Sequence, residues 1–195
     1  YDWCANNIEE LTYKFKSIFT HDIYLSTLSD LFVLTQCSGK SFISHGEVYE
    51  KTKLVSMIAS NKVMCEEHKF RQKMINKYSS QCDHYGRGYR EIRDKITGLR
   101  DYCFSFAMEN ATYSNMFTEK LTDCFMAGTI PIYYGMENIG DIFDIDGIII
   151  LNDNFNIEDL SKDLYESKIK AVRNNFKLAN ELLVAEDYIY INFIK

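Results

Sequence analysis

Two apolar runs, 102–108 (YCFSFAM) and 130–134 (IPIYY), leave room between them for one loop and one helix, and that spacing restricts the fold more than any other feature. The first run is rich in aromatics and fits a buried strand. Between the runs, Leu121, Phe125 and Met126 recur at helical spacing, and Thr118 stands where an N-cap belongs. Gly128 occupies a helix C-cap position, and Pro131 prevents the helix from resuming. The order strand–loop–helix–strand predicts a βαβ crossover, hence parallel strands, with the loop at the carboxyl end of the first. Open α/β sheets bind ligands at that end.

The residues gathered in this loop are chemically pointed. Glu109 and Asn110 close the first run, and Glu119 and Lys120 open the helix. Unpaired N–H groups and the positive end of the helix dipole favour an anion there, and Lys120 adds a full charge. A carboxylate in the same place would repel phosphate but accept hydrogen bonds from sugar hydroxyls. A ribose-bearing nucleotide diphosphate has both parts. For Glu119 and Lys120 the alternative is simple helix-start electrostatics, which suits Glu but not Lys. For Glu109 the alternative is a structural carboxylate paired with Lys95 or the backbone.

A second strand-to-helix junction lies upstream. The run 54–59 reads as a buried strand ending at Ser60-Asn61-Lys62, and 66–78 has Phe70, Met74 and Ile75 at helical spacing with Arg71 on an adjacent face. Arg71 either pairs with Glu66 or Glu67 on an ordinary surface helix or offers its planar fork to two phosphate oxygens.

The remaining segments read more plainly. Residues 1–16 predict a helix with Ile8, Leu11 and Phe15 on one face, a possible interdomain connection ahead of a domain spanning 17–195. Residues 17–20 predict a short strand ending at His21-Asp22, where local capping is the simplest role, followed over 25–34 by a short helix and a strand. The polar stretch 36–46 reads as a loop. Residues 81–98 predict a flexible loop with Tyr85, Arg87, Tyr89 and Arg90 exposed, either a solvated connector or a flap over a nucleobase; its G-R-G is no dinucleotide fingerprint. Residues 136–142 predict a short helix, and 148–151 a parallel strand buried on both faces. Asp144-Ile-Asp146 spells D-x-D but precedes a glycine turn, which disfavours a metal role. Helices are expected over 157–164 and 171–194.

At 195 residues with 46% hydrophobic and 14% aromatic content, one packed domain is expected. The formal charge of −6 excludes a general nucleic-acid surface, so an anionic ligand would have to be met by cations concentrated locally: Lys62, Arg71, Lys95 and Lys120. No run approaches the length of a membrane span. The six cysteines contain no C-x-x-C pair, and Cys103 and Cys124 fall within an apolar strand and helix, as buried free thiols do.

Taken together, EN, seven residues, TEKL and then AGTIPIYYG resemble the donor-binding signature of the α-1,3-fucosyltransferases, glycosyltransferase family 10. Ser60-Asn61-Lys62 with Arg71 resembles that family's Ser-Asn…Arg segment, and Lys95 and Tyr102 fall where it often has Lys and Tyr. The family's Tyr before x-Thr-Glu-Lys is Met116 here, beside Phe117, so that contact is either lost or replaced by Tyr113.

The resemblance implies an α/β Rossmann-like fold: a parallel sheet flanked by helices, one half (the donor half) of a two-domain GT-B enzyme. It implies inverting transfer of fucose from GDP-fucose to a hydroxyl of an N-acetylglucosamine- or glucose-containing glycan, with no further cofactor and no metal. A degenerate or binding-only nucleotide-sugar module is the alternative. Donor-binding residues would be Asn61, Arg71, Lys95, Glu109, Asn110, Glu119 and Lys120. Arg71 and Lys120 would neutralise the departing diphosphate, Glu119 would accept from ribose hydroxyls, and Asn110 would orient donor or loop. The catalytic base is expected outside this chain, in an N-terminal acceptor half; His21, Asp22 and Glu47 are candidates outside any motif. A cytoplasmic bacterial or viral setting is the expectation for such a sequence.

Overall fold

The computed structural model describes residues 2–35, 39–63 and 66–195, with the backbone alone at 66 and 67. Cys37, Cys65, the start of the 36–46 loop and the side chains offered to Arg71 by Glu66 and Glu67 lie outside the described residues. Two short helices, α1 (Asp2–Asn6) and α2 (Ile8–Lys14), lead to β1 (Ile18–Thr20), α3 (Ile23–Leu28) and β2 (Phe32–Leu34). β1 and β2 pair in parallel, Ile18 opposite Phe32. Leu11, Leu25, Leu31 and Phe32 form a small core beneath them. The single helix expected over residues 1–16 breaks at Asn7; of its expected face, Leu11 is buried and Ile8 packs against the small core, whereas Phe15 is exposed beyond the helix end.

The principal sheet follows: β3 (Lys53–Ile58), α4 (Glu66–Tyr78), β4 (Asp83–Tyr85), β5 (Tyr102–Met108), α5 (Glu119–Met126), β6 (Ile130–Tyr134) and β7 (Ile149–Ile150). Its five strands are all parallel, in the order β4-β3-β5-β6-β7. The chain thus steps one way from β3 through α4 to β4, and the other way from β5 through α5 to β6 and β7. Right-handed crossovers in opposite directions place their helices on opposite faces. Accordingly, Met74, Ile75 and Tyr78 of α4 pack with Phe104 and Phe106 on one face. Leu121, Cys124 and Phe125 of α5 pack with Ala107 and Tyr133 on the other. Between these helical layers every residue of β5 is buried. Cys103 and Cys124 are buried free thiols.

The crossover read from sequence is present. Thr118 caps α5, and Gly128 ends the helix turn at φ 64°, a left-handed conformation. A Cβ on Gly128 would stand 2.7 Å from Val48 Cα. Gly128→Ala is therefore expected to cost about 2 kcal/mol or more, from the conformational penalty plus the clash, read as a lowered midpoint in urea denaturation.

Several expectations need correcting. Residues 81–98 are not simply a flexible loop: β4 and a 3-10 turn, Lys95–Gly98, lie within it. Tyr85 is buried, its hydroxyl 2.6 Å from that of Tyr102, whereas Arg87, Tyr89 and Arg90 are exposed. β7 is a sheet edge, so Ile150 is 44% exposed rather than buried on both faces. The helix expected at 136–142 shrinks to a 3-10 turn, Ile139–Asp141. That expected at 157–164 becomes a 3-10 turn, Ile157–Asp159, and then α6 (Lys162–Ser167), because Asn156 and Ser161 each bond to backbone N–H groups ahead of them. The long terminal helix divides into α7 (Ile169–Glu181), α8 (Ala185–Ile189) and a π turn, Tyr190–Ile194, with Leu182 extended between the first two. Asp144 uses its carboxylate to cap the turn at Asp146 and to accept from Asn174. Among the described residues no helix is long and apolar enough to cross a membrane.

One buried charge had no sequence signal. Lys51, 3% exposed, donates from Nζ to the carbonyls of Arg100 and Ala127 and to Thr129 Oγ1. It ties the approach to β3 to the carboxyl end of α5, where a cation is favoured. Burial pulls its ammonium down to about 8.

Candidate functional site

The strand order reverses between β3 and β5, and a cavity of about 170 Å³ opens there. It is lined by the carboxyl end of β3 (Ile58) with Ala59 and Ser60, by Phe106 and Met108 of β5, by Arg71 of α4, by Lys95, and by Glu119, Lys120 and Asp123 of α5. A cleft at such a switch point is where open parallel sheets receive their ligands, because the loops diverge to opposite faces and leave the strand ends bare.

Each charged side chain arrives by a traceable route. Glu109, the residue after β5, is 1% exposed; its own N–H donates to Tyr134 O at 2.7 Å. Its carboxylate accepts from the Thr118 N–H (2.8 Å), the Thr118 hydroxyl (2.6 Å) and Lys120 Nζ (3.1 Å). Glu109 therefore pins the start of α5 to the end of β5 and holds Lys120 at the crevice. Gly135 completes this contact, since a Cβ there would meet Glu109 Cγ at 2.5 Å. Of the two structural partners expected for Glu109, the backbone is found, as the Thr118 N–H; the cation is Lys120 in place of Lys95.

From the opposite face of the sheet, Arg71 donates through Nη1 to Asn110 Oδ1 (3.0 Å) and through Nη2 to Lys62 O (2.9 Å). His68 Nε2 lies 3.2 Å from the same Asn110 oxygen. Asn110 thus bridges β5 and α4 at the mouth. Lys95 Nζ lies 3.1 Å from Glu119 Oε1 and 2.8 Å from Asp123 Oδ2. Burial alone would raise the Glu119 carboxyl, but Lys95 and Lys120 outweigh it and hold it below the ordinary value. Burial likewise would lower Lys95, but Asp123 and Glu119 raise it.

The sign of the Glu119 effect gives a test. A carboxyl whose folded value lies below its unfolded value of 4.5 contributes stability that is fully present above pH 4.5 and is lost as pH falls through the folded value. Wild type should exceed Glu119→Gln in denaturant stability at pH 7, and the difference should vanish well below pH 4.5.

Of the residues singled out in the sequence, Arg71, Lys95, Glu119 and Lys120 line one crevice, with Glu109 directly behind Lys120 and Asn110 bonded to Arg71. Asn61 is not among the lining residues. Its backbone N–H donates to Arg87 O, and its side chain packs where a Cβ on Gly88 would otherwise fit, so it locks the end of β3 to the 86–88 turn. Tyr113 faces His21, with ring centroids 5.5 Å apart, and not the crevice. Phe117 is buried against Phe143. His21, Asp22 and Glu47 do not line the crevice, and Asp22 caps α3.

Sequence reasoning missed Asp123. It stands four residues after Glu119, on the same side of a short helix whose neighbouring positions are otherwise buried and apolar or Thr. A lone carboxylate in that company was the available signal. Asp123 is 1% exposed and also accepts from Ser41 Oγ (2.6 Å) and the Phe42 N–H (2.8 Å).

A parallel sheet with helices on both faces and a cation-lined cleft at its switch point defines a Rossmann-like α/β domain. The chain belongs to glycosyltransferase family 10: residues 48–177 match the family described as Glycosyltransferase family 10 (fucosyltransferase) C-term. Among curated proteins it is similar to the 4-galactosyl-N-acetylglucosaminide 3-alpha-L-fucosyltransferase 9 of Homo sapiens and of Mus musculus. Each is 32% identical over 127 residues, covering 62% of this chain and 34% of the relative. The matched stretch therefore spans about a third of the length of those relatives. Among solved structures, an alpha1,3-fucosyltransferase with GDP aligns at TM-score 0.46 and 21% identity, covering 70% of this chain and 41% of that one. The same comparison with an alpha1,3-fucosyltransferase bound to GDP-fucose gives 0.45, 19%, 70% and 41%.

Proposed function

We propose that this chain supplies the donor half of an inverting GT-B glycosyltransferase that moves fucose from GDP-fucose to a hydroxyl of an N-acetylglucosamine- or glucose-containing glycan. The observation that carries the reading is the meeting of Arg71 and Lys120, from crossovers on opposite faces of the sheet, at one crevice. A diphosphate is the ligand that uses both. Arg71, whose two terminal nitrogens also donate to Asn110 and to Lys62 O, brings positive charge to the diphosphate, and Lys120 offsets charge developing on the leaving phosphate. Glu119, held ionised, accepts from ribose hydroxyls, and Glu109 and Asn110 hold Lys120 and Arg71 in place. Family membership points the same way.

The base that takes the acceptor proton is supplied by a second, N-terminal half. The β1–α3–β2 unit supports that division: its two parallel strands form a sheet apart from the principal one, and parallel sheets ordinarily have more strands and both faces covered. The terminal segments flanking it expose Trp3, Tyr13, Phe15, Tyr190, Ile191 and Ile194.

A binding-only module is the second reading, favoured by the placement of His21, Asp22 and Glu47 away from the crevice. Thermal stabilisation by a panel of GDP- and UDP-sugars tests the donor site: a selective shift with GDP and GDP-fucose is expected, and equal silence across the panel would remove the assignment. Transfer to lactosamine by the intact protein then separates enzyme from binding module.

A further inference from the structure

Asp123 occupies a position that the donor reading alone does not require. It lies one helical turn beyond Glu119 on α5, and its carboxylate is engaged on both oxygens: Oδ1 takes the Ser41 hydroxyl and the Phe42 N–H, and Oδ2 takes Lys95 Nζ. The Lys95 ammonium also stands 4.8 Å from the centroid of the Phe42 ring. The segment carrying Ser41 and Phe42 is itself held to the helix, because Thr122 Oγ1 donates to Gly39 O and Gly39 lies so close to the Thr118–Glu119 peptide that a Cβ would meet its atoms at 2.3–2.4 Å. Lys95 is thus fixed from below by a buried carboxylate and from the side by an aromatic face. Its remaining contact is Glu119 Oε1, at 3.1 Å.

We propose that Asp123 and Lys95 are positioning residues that clamp one oxygen of the Glu119 carboxylate and present the other to the vicinal hydroxyls of a nucleoside diphosphate. This rests on the donor reading above and assigns Lys95 a role different from direct phosphate contact. An ammonium already shared by two carboxylates, one of them 2% exposed in its side chain, is poorly placed to add a phosphate oxygen. A glutamate held by a single fixed cation keeps one oxygen oriented, and a rigid acceptor loses less entropy when a diol binds. Without Lys95, Glu119 would lose its hydrogen-bonded cation and rotate among rotamers, with Lys120 alone left to offset its charge beside the diphosphate.

The test compares GDP with 2′,3′-dideoxy-GDP by calorimetry on wild type, Lys95→Met and Asp123→Asn. Wild type should prefer GDP by about tenfold or more, the scale of one charge-assisted hydrogen bond. In Lys95→Met the preference should collapse towards that of Glu119→Gln while affinity for the dideoxy probe holds, which also reports an intact fold. Asp123→Asn should behave alike. Because Asp123 is buried and its variant risks unfolding, Lys95→Met, at a half-exposed position, is the decisive one. An undiminished preference in Lys95→Met overturns the clamp. Equal weakening of both probes overturns it in favour of direct phosphate contact by Lys95. If wild type binds neither probe, the donor reading itself falls and takes the clamp with it.

Discussion

Lys120→Met is expected to weaken GDP binding by about 30- to 1,000-fold, the equivalent of roughly 2–4 kcal/mol for one charged contact to a diphosphate in a partly enclosed site. Lys120 lines the crevice at the first turn of α5, where the helix dipole disfavours a cation. Something must offset that, and Glu109 does so in part through its 3.1 Å contact. Yet the Lys120 side chain retains 27% exposure while that of Glu109 has none, so the ammonium keeps an open side towards the crevice. Lys120→Arg should keep much of the affinity, since charge at that point is what the diphosphate requires. Titration of GDP into the variants by calorimetry checks both. A loss of less than about threefold in Lys120→Met would place the diphosphate elsewhere.

Glu109→Ala should produce the largest loss of stability, about 3 kcal/mol, since it strips a buried acceptor from three donors at once. The Thr118 N–H would lose its partner at the start of α5, the cap would loosen, and Lys120 would be left without the carboxylate that holds it. Glu109→Gln, which keeps the shape and one good acceptor for the Thr118 N–H, should cost about half as much. Urea denaturation measures the difference. GDP affinity should fall in Glu109→Ala even where the protein remains folded, because the residue that aims Lys120 is gone. If Glu109→Ala unfolds no more readily than wild type, the pin between β5 and α5 is not what orders the site.

These two effects differ in how far they could be foreseen. Lys120 was conspicuous because a lysine at a helix start contradicts the dipole and asks for a reason. Glu109 was visible as a carboxylate after a buried strand, and its backbone partner, the Thr118 N–H, is of the kind expected, but its cation is Lys120 and not Lys95. Which cation meets which carboxylate depends on how α5 swings back over β5, and no spacing records that. Asp123 was overlooked for a related reason. On a helical wheel it reads as a polar residue on a mostly apolar face, and only the 39–43 segment and Lys95 arriving from elsewhere in the chain turn it into a hub. Tyr85 was placed outside, among arginines and glycines, because its neighbours spoke for a loop. The hydroxyl of Tyr102, distant in sequence, drew it in.

What the amino-acid order determined alone is local. α4 begins and ends at the residues its apolar spacing indicated, β5 and β6 coincide with the two apolar runs, and Thr118 and Gly128 bound the intervening helix. Period, cap and left-handed glycine act within a few residues of themselves, so they can be read without knowing where the chain goes next. The tertiary structure decided that β3 lies beside β5, with β4 and β6 on their outer sides. That one adjacency turns the crossovers in opposite directions, sends α4 and α5 to opposite faces, and brings Arg71 and Lys120 to a common cleft. Strand neighbours are chosen by the burial of whole faces and by the handedness of the connections, terms summed over the domain and written in no single segment.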